Sequence, residues 1–186
     1  MKIIKTPLEG FLVIEPDVYK DGRGFFLETY QKERYQKAGI VDNFIQDNHS
    51  RSAKGVLRGM HFQVKKPQAQ IVTIIRGKIF DVVVDLRKKS KTFGQWHGVE
   101  LGENSAVRQV YMAPGFAHGF LVLSDFADLH YKVSGIYDPT DEGGLLWRDP
   151  DLKIRWPIKE TILSKRDNAY PSLKDVKSIL DKNFIK

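Results

Sequence analysis

Two histidines stand in settings that favour proton chemistry. His61 lies in residues 55–63, GVLRGMHFQ, and His118 lies in residues 114–120, PGFAHGF. Both have glycines close by at predicted strand starts, as expected where backbone must approach a ligand. A neutral imidazole is a natural base near neutral pH, and an arginine such as Arg58 is suited to bind an anion. For residues 55–63 alone, the simpler interpretation is an ordinary strand with a surface arginine and a hydrogen-bonded histidine.

A histidine base needs an orienting group and, if the reaction returns the proton, an acid. Tyr131 and Tyr137 are candidate acids, although a buried tyrosine is more often a core residue with its hydroxyl bonded. Asp167 is a candidate orienter, because a carboxylate fixes the tautomer of an imidazole and raises its basicity. A solvated loop aspartate is the competing interpretation, and spacing alone does not pair Asp167 with His61.

Polar residues on or beside β-forming stretches are further candidates for ligand binding. They are Arg23, Glu28, Gln46, Asn48 and Arg58. Arg23 lies between two glycines, which predicts an exposed tip near an anion. Each of them could instead be a solvated charge or part of a turn.

Composition limits the function classes. The 186 residues are 41% hydrophobic and suit one domain, residues 1–186. The absence of cysteine excludes disulfides, thiolate catalysis and zinc–cysteine sites. No apolar run reaches about 18 residues and no export signal is evident, so we expect no membrane span and a cytoplasmic protein.

The net charge of +7 does not indicate nucleic-acid binding. Basic residues are dispersed among acids, and no nucleic-acid-binding motif is evident. A small phosphate-bearing ligand fits this modest excess at least as well.

The spacing of β-prone segments predicts the fold class. Many short strands recur at intervals of about 8–12 residues, which is typical of a sandwich or barrel. Predicted strands cover residues 11–14, 25–30, 44–49, 71–75, 79–86, 95–101, 107–113, 119–124 and 128–134. Within residues 55–63, alternation after Gly59 predicts His61 and Gln63 on one face, with Met60 and Phe62 on the other.

The remaining segments are predicted to be helices and loops. Residues 31–38, closed by Gly39, are predicted to form a short helix. Residues 50–54 are predicted to be a polar loop, and the chain beyond residue 138 is predicted to be loops with a weak helix over residues 172–184.

The two histidine segments resemble the two-part signature of cupin β-barrels. In metal-binding cupins the first part supplies two histidines and an acid, and the second supplies a further histidine. Here Gln63 occupies the second histidine slot, and the acid slot falls in residues 66–68 without a carboxylate. His61 and His118 alone make a poor site for a divalent cation, so we expect no metal and no cofactor. The predicted fold is mainly β: a cupin-type double-stranded β-helix, or jelly-roll barrel, with short peripheral helices.

An ordered series of segments resembles the dTDP-4-dehydrorhamnose 3,5-epimerase family, which are cofactor-free cupins of deoxysugar biosynthesis. The resemblance runs from about residue 3 to about residue 173. Its segments are residues 21–28, 46–50, 55–63, 81–87, 115–120, 131–132, 147–150 and 163–167. The resemblance implies epimerisation of dTDP-4-dehydro-6-deoxy-D-glucose at carbons 3 and 5 through an enolate, yielding dTDP-4-dehydro-L-rhamnose.

The resemblance also implies roles for single residues. His61 is the base, Asp167 its dyad partner, Tyr131 the proton donor, and Tyr137 the aromatic that stacks on thymine. The implied substrate-binding residues are Arg23, Glu28, Gln46, Asp47, Asn48, Arg58, Gln70, His118, Glu142 and Arg166, the last where the family usually has lysine. The family is a homodimer that exchanges N-terminal strands, about residues 1–30, so Arg23 and Glu28 are expected near the partner's pocket. A loop and helical segment, about residues 138–186, completes the expected chain.

One departure from the family pattern is Gln70, in residues 68–72, where members usually carry lysine. Glutamine donates a hydrogen bond but brings no charge to an enolate. Epimerisation at a single carbon therefore stays open. A metal-dependent cupin enzyme and a binding module without turnover also stay open.

Overall fold

The computed structural model describes the backbone of residues 1–183 and the side chains of residues 1–180. Within that part the chain is built mainly of short strands. In chain order these are β1 (Lys2–Lys5), β2 (Phe11–Glu15), β3 (Val18–Asp21), β4 (Gly24–Leu27), β5 (Gln46–Ala53), β6 (Leu57–Gln63), β7 (Gln70–Arg76), β8 (Lys78–Asp85), β9 (Trp96–Gly102), β10 (Gln109–Met112), β11 (Phe116–Val122), β12 (Phe126–Val133) and β13 (Glu142–Gly144). The helices are α1 (Lys32–Lys37) and α2 (Leu173–Asn183), and a 3₁₀ turn spans Asp167–Ala169.

Most of these strands form two antiparallel sheets. One has the order β1-β2-β10-β7-β12-β5, and the other has the order β13-β6-β11-β8-β9. Strands β3 and β4 pair with each other as a separate hairpin. Two sheets with these crossover connections form a jelly roll, so the predicted cupin-type fold is confirmed.

The main core lies between the two sheets. Val72 of β7, Val83 of β8 and Phe120 of β11 belong to one cluster of buried apolar side chains. Val82 and Val84 alternate with Val83 and belong to a second cluster on the other face of their sheet. Both faces of β8 are covered, which explains the unbroken apolar run in its sequence.

The C-terminal part of the chain covers that second face. Leu145, Leu152, Val176 and Leu180 are buried against β8 and its neighbours. The prediction of loops beyond residue 138 was therefore incomplete, because β13 pairs with β6 and extends the sheet. Helix α2 agrees with the weak helix predicted over residues 172–184, whose last residue lies outside the described part.

Strand β5 corrects the prediction of a polar loop at residues 50–54. The strand continues to Ala53 and pairs with β12 along its whole length. Its inward side chains are polar because Gln46, Asn48 and Ser50 line a cavity instead of a core. The apolar alternation that marks most half-buried strands is consequently missing.

The hairpin of β3 and β4 carries apolar side chains with little cover. Tyr19, Phe25 and Phe26 are each more than 60% exposed. An isolated two-stranded hairpin is marginally stable in water, and clustered exposed aromatics mark a contact surface.

Within residues 1–183, no helix has the length and hydropathy needed to cross a membrane.

Candidate active site

A cavity of about 310 Å³ lies between the two sheets. His61 on β6 and His118 on β11 line it from one sheet, and Asn48 on β5 and Tyr131 on β12 line it from the other. An imidazole and a phenol thus face one cavity from opposite sides. A molecule bound between them would present one face to a base and the other to an acid.

The backbone around Gly59 sets the position of His61. Gly59 has φ of +126°, and a Cβ on it would lie 2.5 Å from the Cα of Gly119. Only glycine permits β6 and β11 to approach this closely. The pairing register then places His61 directly opposite His118. Met60 lies on the other face of β6, as the alternation predicted, and packs there against the C-terminal segment.

Asp167 contacts His61, although 106 residues separate them. The distance from His61 Nε2 to Asp167 Oδ1 is 3.0 Å, and the Gly59 N–H donates to the other carboxylate oxygen. Burial acts to raise the pKa of Asp167, but hydrogen bonds from His61 and Gly59 outweigh it and hold the pKa below its usual range. An ionised Asp167 accepts from Nε2–H, which leaves Nδ1 of His61 to take up a proton.

The surroundings of Tyr131 keep its hydroxyl protonated. Burial raises the pKa of Tyr131, the nearby Arg58 charge acts to lower it, and Glu142 adds to the increase. The phenol is therefore neutral at neutral pH, as a proton donor must be. Arg58 is itself held by a 2.9 Å hydrogen bond from its Nε to Ser52 Oγ.

Glu142 connects the base to the edge of the cavity. Its carboxylate accepts hydrogen bonds from the hydroxyls of Tyr137 and Tyr170 and forms an ion pair with Arg166, at 3.0 Å. It also lies 3.9 Å from Nδ1 of His61. The hydrogen bond to Glu142 is the main reason why the pKa of Tyr137 is raised.

Tyr170 is a site residue that sequence reasoning missed. Its ring meets the His61 ring edge-on, with centroids 5.6 Å apart. Gly144 makes room for this contact, because a Cβ there would lie 2.2 Å from the Tyr170 ring. The sequence offers no signal for it, since Tyr170 is a single aromatic residue in a segment predicted to be loops.

Several predicted binding residues also line the cavity. They are Gln46, Asn48, Arg58, Gln70, His118, Tyr137, Glu142 and Arg166. His118 lies 2.8 Å from the buried carboxylate of Asp81 through its Nε2. The imidazole of His118 is therefore oriented in the same way as that of His61.

Three predicted binding residues lie away from the cavity of their own chain. Arg23, with its side chain 91% exposed, pairs with Asp21 at the hairpin tip. Glu28 pairs with Arg34 at 3.2 Å. Asp47 points to the outer face of β5 and pairs with Lys132, because it alternates with the inward Gln46 and Asn48.

Among the side chains of residues 1–180, no cluster of three or more histidine, aspartate or glutamate residues has a cation-binding arrangement. The slots that hold ligands in metal-binding cupins carry amides here. Gln63 is bonded to the backbone of Asp138, and Gln68 is bonded to Ile136. The donor set therefore fits hydrogen bonding better than metal binding.

The fold and the site define a cupin-type barrel with an imidazole–carboxylate pair facing a phenol. The family model described as dTDP-4-dehydrorhamnose 3,5-epimerase matches residues 5–175. This chain belongs to that family.

Individual relatives cover nearly the whole chain. A dTDP-4-dehydrorhamnose 3,5-epimerase of Methanothermobacter thermautotrophicus is 46% identical over 94% of this chain and 95% of its own. A dTDP-4-dehydrorhamnose 3-epimerase of Streptomyces niveus is 44% identical over 90% of this chain and 81% of its own. A crystal structure of a Legionella pneumophila dTDP-6-deoxy-D-glucose-3,5-epimerase with dTDP-4-keto-L-rhamnose matches with a TM-score of 0.92 and 45% identity, covering 96% of both chains.

Proposed function

We propose that this chain epimerises dTDP-4-dehydro-6-deoxy-D-glucose at carbons 3 and 5 to dTDP-4-dehydro-L-rhamnose, a step of dTDP-L-rhamnose biosynthesis. The observation that carries the proposal is the placement of His61 and Tyr131 on opposite walls of one cavity. Membership of the epimerase family supplies the substrate class. The proposed location is the cytoplasm, where nucleotide sugars are made.

The chemistry starts at a carbon next to the ketone of the substrate. His61 Nδ1 takes the proton from that carbon, and the electron pair moves into the ketone to form an enolate. Tyr131 then gives its proton to the same carbon from the other face, which restores the ketone with inverted configuration. His61 is left protonated and Tyr131 deprotonated until both exchange protons with water. Each group contributes about 10²–10⁴-fold.

The enolate oxygen needs hydrogen-bond donors or positive charge during this step. His118 and Arg58 line the cavity and meet that requirement. Gln70 lines the same cavity and adds a neutral donor. We assign Arg166 to the diphosphate and the exposed ring of Tyr137 to the thymine base.

The working unit in this proposal is a homodimer of single domains, each residues 1–186. The exposed aromatics on the hairpin of β3 and β4 support an exchange of the N-terminal region, about residues 1–30, between protomers. Arg23 and Glu28 would then complete the partner's pocket, which accounts for their positions outside the cavity of their own chain.

A second candidate is epimerisation at carbon 3 or carbon 5 alone. Gln70 favours it, because a neutral amide stabilises an enolate less than lysine does. The Streptomyces niveus relative, which is described as a 3-epimerase, is 44% identical to this chain. It is therefore about as similar as the relatives that are described as 3,5-epimerases.

Incubation with the thymidine-linked 4-keto sugar in heavy water tests both candidates. The main proposal predicts deuterium at carbons 3 and 5 by NMR, and the second predicts deuterium at one carbon only. In the second case, Gln70→Lys should add exchange at the other carbon. Wild-type protein that binds thymidine diphosphate but incorporates no deuterium would overturn both candidates and leave a binding protein.

A further inference from the structure

The loop between β12 and β13 carries Tyr137 to the edge of the cavity, yet three glutamines outside the loop hold its backbone. We propose that Gln46, Gln63 and Gln68, named here the glutamine clasp, position the loop so that Tyr137 can cover the nucleotide base. The inference rests on the proposed function, since it assigns the clasp to binding of the base and not to proton transfer.

Each glutamine bonds a different backbone group of consecutive residues. Gln68 Nε2 donates to the carbonyl of Ile136 at 3.0 Å. Gln46 Oε1 accepts from the N–H of Tyr137 at 3.1 Å. Both groups belong to the peptide unit between Ile136 and Tyr137, which is therefore held by side chains from β5 and from the segment after β6.

Gln63 completes the clasp with two bonds to one residue. Its Nε2 donates to the carbonyl of Asp138 at 3.1 Å, and its Oε1 accepts from the N–H of Asp138 at 3.3 Å. An amide offers a donor and an acceptor at the spacing of a backbone peptide group, whereas a carboxylate offers acceptors only. Both ends of the Gln63 amide are engaged by the loop, so this side chain acts on a ligand through the loop.

The close approach of Gln68 depends on a glycine in the loop. A Cβ on Gly135 would lie 3.0 Å from Gln68 Nε2 and 3.1 Å from Gln68 Cγ. Asp141, at the other end of the loop, accepts from the backbone N–H groups of Lys65 and Lys66 at 2.9 Å each. The two segments are consequently bonded to each other along their length.

The ring of Tyr137 lies partly open to solvent at the edge of the cavity. It is 46% exposed, and its hydroxyl is bonded to Glu142. A fixed backbone with a partly exposed ring suits an aromatic that covers a flat ligand, because little backbone entropy is lost on binding. The bonds of the clasp go to the backbone of residues 136–138, whereas Asp167 bonds His61, so the clasp does not itself contact the proton-transfer pair.

Gln63→Leu and Gln68→Leu test the clasp, with Gln95→Leu, at an exposed position away from the loop, as the matched control. The clasp predicts that each clasp variant raises KM for the nucleotide sugar about tenfold with kcat within about threefold of wild type. Binding of thymidine diphosphate should weaken by a similar factor, while binding of inorganic pyrophosphate, which lacks a base, should not change. Gln95→Leu should alter none of these.

The decisive comparison is made in a Tyr137→Ala background. If the clasp acts through Tyr137, Gln63→Leu should cost no further affinity for thymidine diphosphate once the aromatic ring is absent. A full additional loss in that background, or a fall in kcat with unchanged KM, would overturn the clasp. Gln63→Glu should weaken binding at least as much as Gln63→Leu, because a carboxylate faces the Asp138 carbonyl. The clasp and the proposed function can fail separately. If wild-type protein is inactive but Gln63→Leu still weakens binding of thymidine diphosphate, the epimerase activity is rejected and the role of the clasp in binding is retained.

Discussion

Two buried aspartates show how differently this fold uses a carboxylate. Asp85, at the end of β8, is fully buried and takes hydrogen bonds from Arg87, Ser90 and Thr92, all within seven residues of it. Asp167 is also buried and has Arg166 beside it at 3.6 Å, but its carboxylate bonds Gly59 and His61 as well, which lie more than 100 residues away and beside the cavity. Both carboxyls have a lowered pKa.

A lowered pKa therefore does not by itself mark a functional carboxylate. Every strong partner of Asp85 is local and lies away from the cavity lining, so its charge fixes a turn. Asp167 accepts hydrogen bonds from one backbone N–H and one imidazole, and the other nitrogen of that imidazole lies 3.9 Å from Glu142 at the edge of the cavity. A charged group that contacts a titratable side chain beside a cavity is the better candidate for catalysis.

Substitution of Asp167 gives the largest expected effect on activity. Asp167→Asn keeps the size of the side chain but loses the charge that orients and stabilises the His61 imidazolium. We expect kcat to fall by about 10²–10⁴-fold, with little change in the midpoint of thermal unfolding. Steady-state kinetics with circular dichroism melting measure both. Wild-type kcat in a folded Asp167→Asn protein would reject the dyad.

The matched substitution, Asp85→Asn, should show the reverse pattern. It leaves Arg87 beside a neutral amide and breaks a buried charge pair, which typically costs about 3–5 kcal/mol in the free energy of unfolding. Urea denaturation measures that loss, while kcat of the remaining folded protein should equal that of wild type. A stable Asp85→Asn variant with impaired kcat would remove the distinction between the two carboxylates.

The contribution of Asp85 should disappear in acid. Burial acts to raise its pKa, but the bonds from Arg87, Ser90 and Thr92 outweigh it and lower the pKa from 3.8 to about 2. The pKa of Asp85 is lower in the folded protein, so the unfolded chain binds this proton more readily. The contribution of Asp85 to the free energy of unfolding is therefore complete above pH 3.8, the unfolded pKa, and is lost as pH falls through about 2. It amounts to about 2 kcal/mol. The stability gap between wild type and Asp85→Asn should therefore narrow by about this amount from pH 5 to pH 2, and a constant gap would contradict it.

A smaller effect is expected from crowding the ring beside His61. Gly144→Ala places a Cβ 2.2 Å from the Tyr170 ring, which must move and so loosens the edge contact with His61. We expect kcat to fall about tenfold. Gly102→Ala is the control, because its added Cβ meets its first neighbour at 3.5 Å. Equal kcat in the two variants would show that Tyr170 does not position His61.

Much of the fold follows from the sequence because most strands bury apolar side chains and turns separate them. Strand β8 was predicted closely for this reason, and helix α1 was predicted closely because Gly39 closes its segment. The second half of β5 was not, since its inward residues line the cavity and are polar. Strand β13 was also missed, because its sequence, Glu142–Gly144, is too short and glycine-rich to show alternation.

The candidate site, like the fold, was only partly predictable from the sequence. Glycine context and alternation were enough to single out His61 and His118 as candidates on strands. Residue spacing gave no link between Asp167 and His61, which only the family resemblance supplied, because a contact across 106 residues leaves no local pattern. Tyr170 and the role of Gln68 came only from the structure, since both depend on close approach to a glycine.

The most direct test of the account compares proton exchange with inversion in Tyr131→Phe and His61→Asn. With a base on one face and an acid on the other, Tyr131→Phe should still let His61 exchange the carbon proton for solvent deuterium but should return it to the same face, without epimer. His61→Asn should lose both exchange and inversion. Exchange that survives in His61→Asn, or inversion at the wild-type rate in Tyr131→Phe, would contradict the assignment of base and acid to the two walls of the cavity.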